Sequence, residues 1–227
     1  MSTVAITEEK AGSQRRSLTL ATLRALDVLI CVLAILACAP VLALIYLAIR
    51  IDGGGPALFR QERIGRDKRR FTVNKFRTMR LEADPTVHRE YVAQLIAGEE
   101  TTHADESGRD LYKLVADDRI TKVGRFLRKT SLDELPQIFN VLRGNMSLVG
   151  PRPVIPYEAE LYSEDYDRRF AVKPGMTGLW QVSGRSERTY REMIELDVAW
   201  VERRSVALYL SILGRTPWVL IRRRGAA

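Results

Sequence analysis

Residues 25–49 read ALDVLICVLAILACAPVLALIYLAI, with Asp27 the only charged residue in the run. A helix needs roughly 20 apolar residues to cross the hydrocarbon core of a bilayer, so this stretch is long enough to do so. A secretory signal fits poorly, because the run is too long and follows a polar leader. Two features oppose a simple crossing. Pro40 lies just past the middle, where it removes a backbone donor and kinks or breaks a helix. Both flanks are basic, with Arg15, Arg16 and Arg24 before the run and Arg50, Arg60, Arg63, Arg66, Lys68, Arg69 and Arg70 after it. Lys and Arg collect on the cytoplasmic side, so a spanning helix cannot satisfy both ends. A segment that enters, turns at Ala39-Pro40 and returns to the same face does satisfy them. We therefore expect a re-entrant helix-break-helix, with a single crossing as the alternative.

The rest of the chain is polar enough to fold outside the bilayer. Its 36 Lys and Arg exceed 28 Asp and Glu, for a net charge of +8, which points to an anionic partner: nucleic acid, anionic lipid or a phosphorylated substrate. Cys31 and Cys38 both lie in the apolar run and read as small buried residues, not as a disulfide or metal site. His88 and His103 have no ligand spacing. The expected organisation is a flexible segment 1–21, the membrane segment 22–50, a catalytic domain 51–204 and a C-terminal segment 205–227. Within the domain, FTVNKF at 71–76 suits a half-buried strand. Residues 82–112 form an acidic excursion with one helix near 86–97, and a helix is expected around 134–142. Residues 187–204 form a charged helix. Residues 205–221 are apolar and end beside Trp218 and Arg222–Arg224, which suits either an interfacial helix or a core helix with a basic tail.

Chemistry-bearing residues concentrate in RKTSLDELPQ, residues 128–137. Adjacent carboxylates, Asp133 and Glu134, stand near Arg125, Arg128 and Lys129. Ser131-Leu132-Asp133-Glu134 also fits a capping box, in which serine caps a helix and glutamate reaches back. Pro136 weakens that reading, since it would deny the helix a backbone donor. A helix starting at or after Asp133 leaves the carboxylates at its mouth, where nearby cations would keep Asp133 ionised. Such a carboxylate can bind Mg²⁺ or attack a phosphoryl group. A second cluster, RGNMSLVGPRP at 143–153, holds Arg152 between two prolines, with a guanidinium suited to phosphate. A third, KPGMTGLWQVSGR at 173–185, could hold a nucleotide or be a plain loop.

Together, QERIG, KFRTM, SLDELPQ, GNMSLVGPRP and KPGMTGLWQVSGR, in this chain order behind a proline-interrupted apolar segment, resemble the bacterial sugar transferase family, the monotopic phosphoglycosyl transferases. The resemblance covers about residues 22–221. It implies an α+β fold with a re-entrant membrane helix, interfacial amphipathic helices and a small α/β catalytic head. It implies transfer of a hexose-1-phosphate from a UDP-sugar to polyprenyl (undecaprenyl) phosphate. UMP would be released, through a covalent aspartyl-phosphosugar and with Mg²⁺. The setting would be the cytoplasmic face of the bacterial inner membrane, the role initiation of exopolysaccharide or related glycan assembly. By motif position, Asp133 matches the nucleophile and metal partner and Glu134 its neighbour. Lys75, Arg77, Arg128, Pro151, Arg152, Gly175, Gln181 and Arg185 fall in motifs that face substrate, with Gln181 and Arg185 assigned to the nucleotide. The pattern is departed from at Ala39 (usually Ser), Asn145 (usually Asp), Arg204 and Tyr209. No long multi-helix region precedes the apolar run, so the sequence resembles the family's minimal form.

Membrane lipid is an expected partner, nucleic acid is not, and a homo-oligomer is left open. Two other readings remain: a glycosyltransferase that releases UDP, and a non-catalytic membrane-tethered anion-binding protein. The sugar is not legible from sequence.

Overall fold

A computed structural model describes residues 3–80, 94, 103–104, 110–111, 119–184 and 188–221. The helix expected at 86–97 falls outside the described residues except at residue 94, which is helical. His88, Arg185 and the basic tail also fall outside them.

The apolar run folds as part of one helix, α1 (Thr3–Gly53), which passes through Pro40 without interruption. This corrects the expected break at Ala39-Pro40 into two limbs. Proline removes one backbone bond, at a cost of about 3 kcal/mol, but its fixed φ suits a helix and neighbouring turns stay bonded, so the strand of hydrogen bonds resumes. Core contacts hold the helix on either side of the proline, which is itself exposed. Leu23, Asp27, Cys31, Ile45 and Ile49 are buried at helical spacing, with Ala34, Ile35 and Leu42 partly buried between them. The opposite face shows Leu29, Leu33, Leu36, Leu44, Leu47 and Ile51. Ser17–Gly53 is, among the described helices, the one long and apolar enough to cross a membrane. Cys31 and Cys38 are both free thiols.

The head begins with an antiparallel hairpin, β1 (Leu58–Ile64) and β2 (Arg70–Phe76), in register from Leu58 opposite Phe76 to Ile64 opposite Arg70. β2 contains the strand expected at 71–76. Two residues each of β3 (His103–Ala104) and β4 (Asp110–Leu111) pair antiparallel. Then follow α2 (Lys122–Thr130), a 3-10 helix (Leu132–Gln137), α3 (Ile138–Arg143) and β5 (Ser147–Val149). α4 (Pro156–Glu160), a 3-10 segment (Glu164–Ala171) and β6 (Gly175–Thr177) come next, β6 running parallel to β5. α5 (Tyr190–Arg203) and α6 (Val206–Ile221) close the described chain. Helices and short strands alternate without a large sheet, an α+β architecture.

Buried polar groups lock these pieces together. Asn140 on α3 accepts from the Asn74 backbone N–H at 3.1 Å and donates to the Thr72 carbonyl at 2.6 Å, which fastens α3 to the edge of β2. Arg24 on α1 donates to the carbonyls of Val141 and Leu142, closing the C-terminus of α3. Asp27, 3% exposed, accepts from the Leu148 N–H at 2.8 Å, Ser147 Oγ at 3.0 Å and the Tyr209 hydroxyl at 2.7 Å. The one carboxylate of the apolar run is thus a latch joining α1, β5 and α6. α6 meets both descriptions offered for residues 205–221: Tyr209 and Ile212 are buried in the core, while Leu210, Trp218 and Ile221 lie exposed on the other face.

Candidate active site

Ser131 adopts left-handed φ of 57° and ends α2, its N–H bonding to the Arg128 and Leu127 carbonyls. It makes no side-chain cap to the 3-10 helix that follows. The capping-box alternative is therefore corrected: Ser131 closes the preceding helix, and Glu134 does not reach back. Pro136 lies inside the 3-10 helix. With three residues per turn, positions i and i+3 eclipse, so LDELPQ presents three rows. Leu132 and Leu135 pack on Ile45, Ile49, Phe76 and Leu127. Asp133 stands in line with buried Pro136. Glu134 and Gln137 line a cleft together.

The cleft is walled by β2, the 3-10 helix, the loop after β5 and the start of β6; Arg63, Val73, Lys75, Arg152, Pro153, Gly175, Met176 and Gln181 complete its lining. Lys75 Nζ donates to Glu134 Oε1 at 2.7 Å. Burial opposes charge on Glu134, but Lys75, Arg152 and Arg63 together hold its carboxyl below the ordinary range. Asp133 behaves in the opposite way. Burial pushes its carboxyl up to about 6, against the pull of Lys75 and Arg128 and with a further push from Glu134. The expectation that nearby cations hold Asp133 firmly ionised is corrected: the direct ion pair falls on Glu134, while burial dominates at Asp133. Cations outnumber the carboxylate that faces the cleft, which leaves a site suited to an anion with several oxygens.

Arg152 is held by its own backbone. Arg169, buried, donates to the Arg152 carbonyl at 2.9 Å and to Asp197 Oδ2 at 2.5 Å, and Arg63 donates to the Pro153 carbonyl at 3.1 Å. Burial works against the Arg169 charge, yet Tyr162 and Asp197 raise its pKa, while burial pushes the Asp197 carboxyl up to about 7 against the pull of Arg169. The glycines nearby serve backbone contact. A Cβ on Gly175 would lie 2.1 Å from the Gly150 nitrogen, and one on Gly178 would lie 2.5 Å from the Gly150 carbonyl oxygen. These positions let the chain after β5 and the segment around β6 cross closely. The Gly175 N–H also bonds the Pro151 carbonyl at 2.8 Å.

Of the residues singled out from sequence, Lys75, Glu134, Arg152, Gly175 and Gln181 line the cleft. Arg128 bonds Thr78 Oγ1 at 2.9 Å and influences Asp133 from the side. Arg77 points elsewhere, donating to the Gly54 carbonyl at the end of α1. Pro151 acts through its carbonyl. Arg63, Gln137, Arg169 and Asp197 were missed. Arg63 stood inside QERIG without being singled out, and Gln137 sits one 3-10 turn beyond Glu134. Arg169 and Asp197 meet from elements 28 residues apart, so no local pattern marks them.

Among the described residues no three His, Cys, Asp or Glu gather as a metal cluster. Magnesium usually takes one or two carboxylates and completes its shell with water and substrate phosphates. The adjacent Asp133 and Glu134, the former poorly solvated, fit that demand.

The model of the family described as bacterial sugar transferase matches residues 18–223. The chain is 41% identical over 203 residues to the undecaprenyl-phosphate galactose phosphotransferase of Salmonella typhimurium, covering 89% of this chain and 41% of that protein. It is 39% identical over 193 residues to the exopolysaccharide production protein ExoY of Sinorhizobium fredii, covering 85% and 82%. Similarity to the undecaprenyl-phosphate glucose phosphotransferase of Komagataeibacter xylinus is 39% over 204 residues, covering 84% of this chain and 34% of that protein. The chain thus spans less than half the length of the Salmonella and Komagataeibacter relatives. With the match running from the apolar helix through α6, the chain belongs to the bacterial sugar transferase family.

Proposed function

We propose that this chain transfers a hexose-1-phosphate from a UDP-sugar to undecaprenyl phosphate and releases UMP, as the first step of an exopolysaccharide or related glycan. The observation that carries this reading is the convergence of Lys75, Arg63 and Arg152 on Glu134, beside the poorly solvated carboxyl of Asp133. The names of the relatives support the acceptor and the kind of group moved. Asp133 attacks the sugar-bearing phosphorus of the donor. The new bond joins its oxygen to that phosphorus, and the bond to the oxygen bridging to UMP breaks, so UMP leaves with the electron pair. An oxygen of undecaprenyl phosphate then attacks the same phosphorus and frees the aspartate. A carboxylate stripped of water is better able to attack than a solvated one. Lys75, Arg63 and Arg152 bind and neutralise phosphate oxygens as charge shifts between them. Asp133, with Glu134, would hold Mg²⁺, which supplies charge neutralisation on the diphosphate.

The same reading places the head at the cytoplasmic face of the inner membrane, with α1 bent at Pro40 so that both of its docked ends lie at that face. Arg24 and Asp52, near the two ends of the apolar stretch, both dock on the head: Arg24 on α3, and Asp52 through the Val123 N–H at 3.1 Å. On a straight helix they would stand about 40 Å apart, more than the roughly 30 Å of hydrocarbon. A crossing would strand one docked end on the far side. The exposed apolar faces of α1 and α6 then meet lipid.

The test is product analysis with purified protein, undecaprenyl phosphate, Mg²⁺ and a panel of UDP-sugars. UMP is expected from one or a few hexose donors, and Asp133→Asn is expected to lose at least a thousandfold in rate. Release of UDP, or full turnover by Asp133→Asn, would overturn the reading.

A further inference from the structure

Arg125, Arg128 and Lys129 all precede the dyad closely in sequence, and the fold treats them differently. Arg125 and Lys129 are exposed on α2, whereas Arg128 is half-buried. Its Nε donates to Thr78 Oγ1 at 2.9 Å. Thr78 follows β2 and is itself 7% exposed. A buried hydroxyl accepting from a guanidinium makes a stronger bond than two neutral groups would.

The backbone of Thr78 is fastened to the same helix. Its carbonyl accepts from the Thr121 N–H at 3.0 Å, and the Thr121 hydroxyl caps α2 by accepting from the Gly124 N–H at 3.0 Å. Gly124 lies so close that a Cβ there would collide with the Thr78 carbonyl. Thr121, Gly124 and Arg128 follow one another at spacings of three and four, so one face of α2 rests on Thr78. Next to Arg128, Leu127 is buried in the cluster that holds Ile45, Ile49 and Phe76. Arg128 is therefore fixed at its root by helix packing and at its Nε by the threonine.

The charges divide accordingly. Lys75, Arg152 and Arg63 act on Glu134, and Lys75 is engaged in the ion pair with it. At Asp133 the cations that oppose burial are Lys75 and Arg128. Arg128 thus serves Asp133 where Arg63 and Arg152 serve its neighbour. A guanidinium is planar and carries its donors in a rigid fork, so holding Nε sets the direction of the other two nitrogens.

We propose that Thr78 is a positioning residue: by holding Arg128 Nε it keeps the guanidinium directed at the phosphoryl group that Asp133 attacks and carries. This rests on the phosphosugar-transfer reading. Arg128 then meets the charge that builds on the phosphoryl oxygens in the transition state, so its orientation governs turnover more than donor binding.

The full chain is assayed in detergent with undecaprenyl phosphate, Mg²⁺ and the UDP-hexose that yields most UMP; kcat, KM and melting temperature are read for each variant. Thr78→Val keeps the shape and removes the acceptor. Its kcat is expected to fall roughly tenfold, with KM for the donor unchanged. Thr78→Ser keeps the hydroxyl and is expected to turn over as wild type does. Arg128→Lys keeps the charge but lacks the fork, and should lose rate as Thr78→Val does. In an Arg128→Ala background, Thr78→Val should cost no further rate, because the hydroxyl acts through the guanidinium. Full kcat in Thr78→Val, equal loss in Thr78→Ser, or losses that multiply in the double variant would overturn the proposal while UMP production stands. If wild type makes no UMP from any UDP-sugar, the underlying reading fails with it. Should Thr78→Val not fold, Arg128→Lys still decides: full turnover by that variant would show that charge alone suffices.

Discussion

Asp133 and Glu134 are neighbours in sequence but meet opposite surroundings, and each surrounding has a measurable consequence. Burial raises the Asp133 carboxyl to about 6, so the folded state favours its protonated form. The fold therefore loses stability as pH rises from about 4, where an unfolded aspartate titrates, through 6, and gains nothing back above that. Asp133→Asn removes the penalty. Without magnesium or substrate it should melt at a higher temperature than wild type at pH 8, and the advantage should vanish near pH 4. A lower melting temperature at pH 8 would mean that the carboxylate has a stabilising partner. Arg169 presents the reverse case. Arg169→Met strips the buried Asp197 carboxyl of its partner, and should cost about 3–5 kcal/mol of stability by denaturant titration at pH 8, less at pH 5 where the carboxyl is neutral. Adding Asp197→Leu should recover much of that stability but not the rate of UMP release, because the Arg152 carbonyl still lacks its donor. At this scale the sequence was informative where chemistry is local. The dyad, Lys75 and Arg152 stood in recognisable motifs. Arg63, whose carbonyl partner lies 90 residues away, could not be read from its neighbours.

At the scale of elements, legibility depended on whether the deciding contact was local. β2 was readable because Phe71 and Val73 alternate with polar residues, and α5 because its charges recur at helical spacing. The 3-10 character of 132–137 was not, since it follows from the left-handed turn at Ser131, which a serine does not announce. Pro40 misled for an energetic reason: a cost of about 3 kcal/mol decides an isolated helix but not one fastened to a core on both sides of the proline. What fastens that helix is Asp27, with partners up to 182 residues away. Tyr209→Phe removes one of its three donors and should cost about 1–2 kcal/mol. Asp27→Leu should cost more, because Leu148 N–H and the Tyr209 hydroxyl are both left buried and unpaired. Thermal unfolding in detergent checks the order. Equal losses would show that the tyrosine hydroxyl supplies the whole effect of the latch.

For the whole molecule, the question is how a polar cleft and an apolar helix share one boundary. The head packs along one side of α1 and leaves Leu29, Leu33, Leu36, Leu44 and Leu47 on the other, so the protein has a lipid-facing side set by the same helix that buries its core. The latch at Asp27 ties that side to β5, which leads through Gly150 and Pro151 to Arg152 in the cleft. Under the proposed function, a lipid phosphate at the membrane surface would meet a site whose walls are anchored to the apolar helix itself. This arrangement needs both ends of α1 on one face. Single cysteines at exposed Ser17 and Arg60, in a background with Cys31 and Cys38 replaced by alanine, should both react with an impermeant maleimide in inside-out vesicles and in neither case in right-side-out vesicles. Reaction of the two positions from opposite sides would mean that α1 crosses, and the docking of Arg24 and Asp52 on one head could not then hold in the membrane.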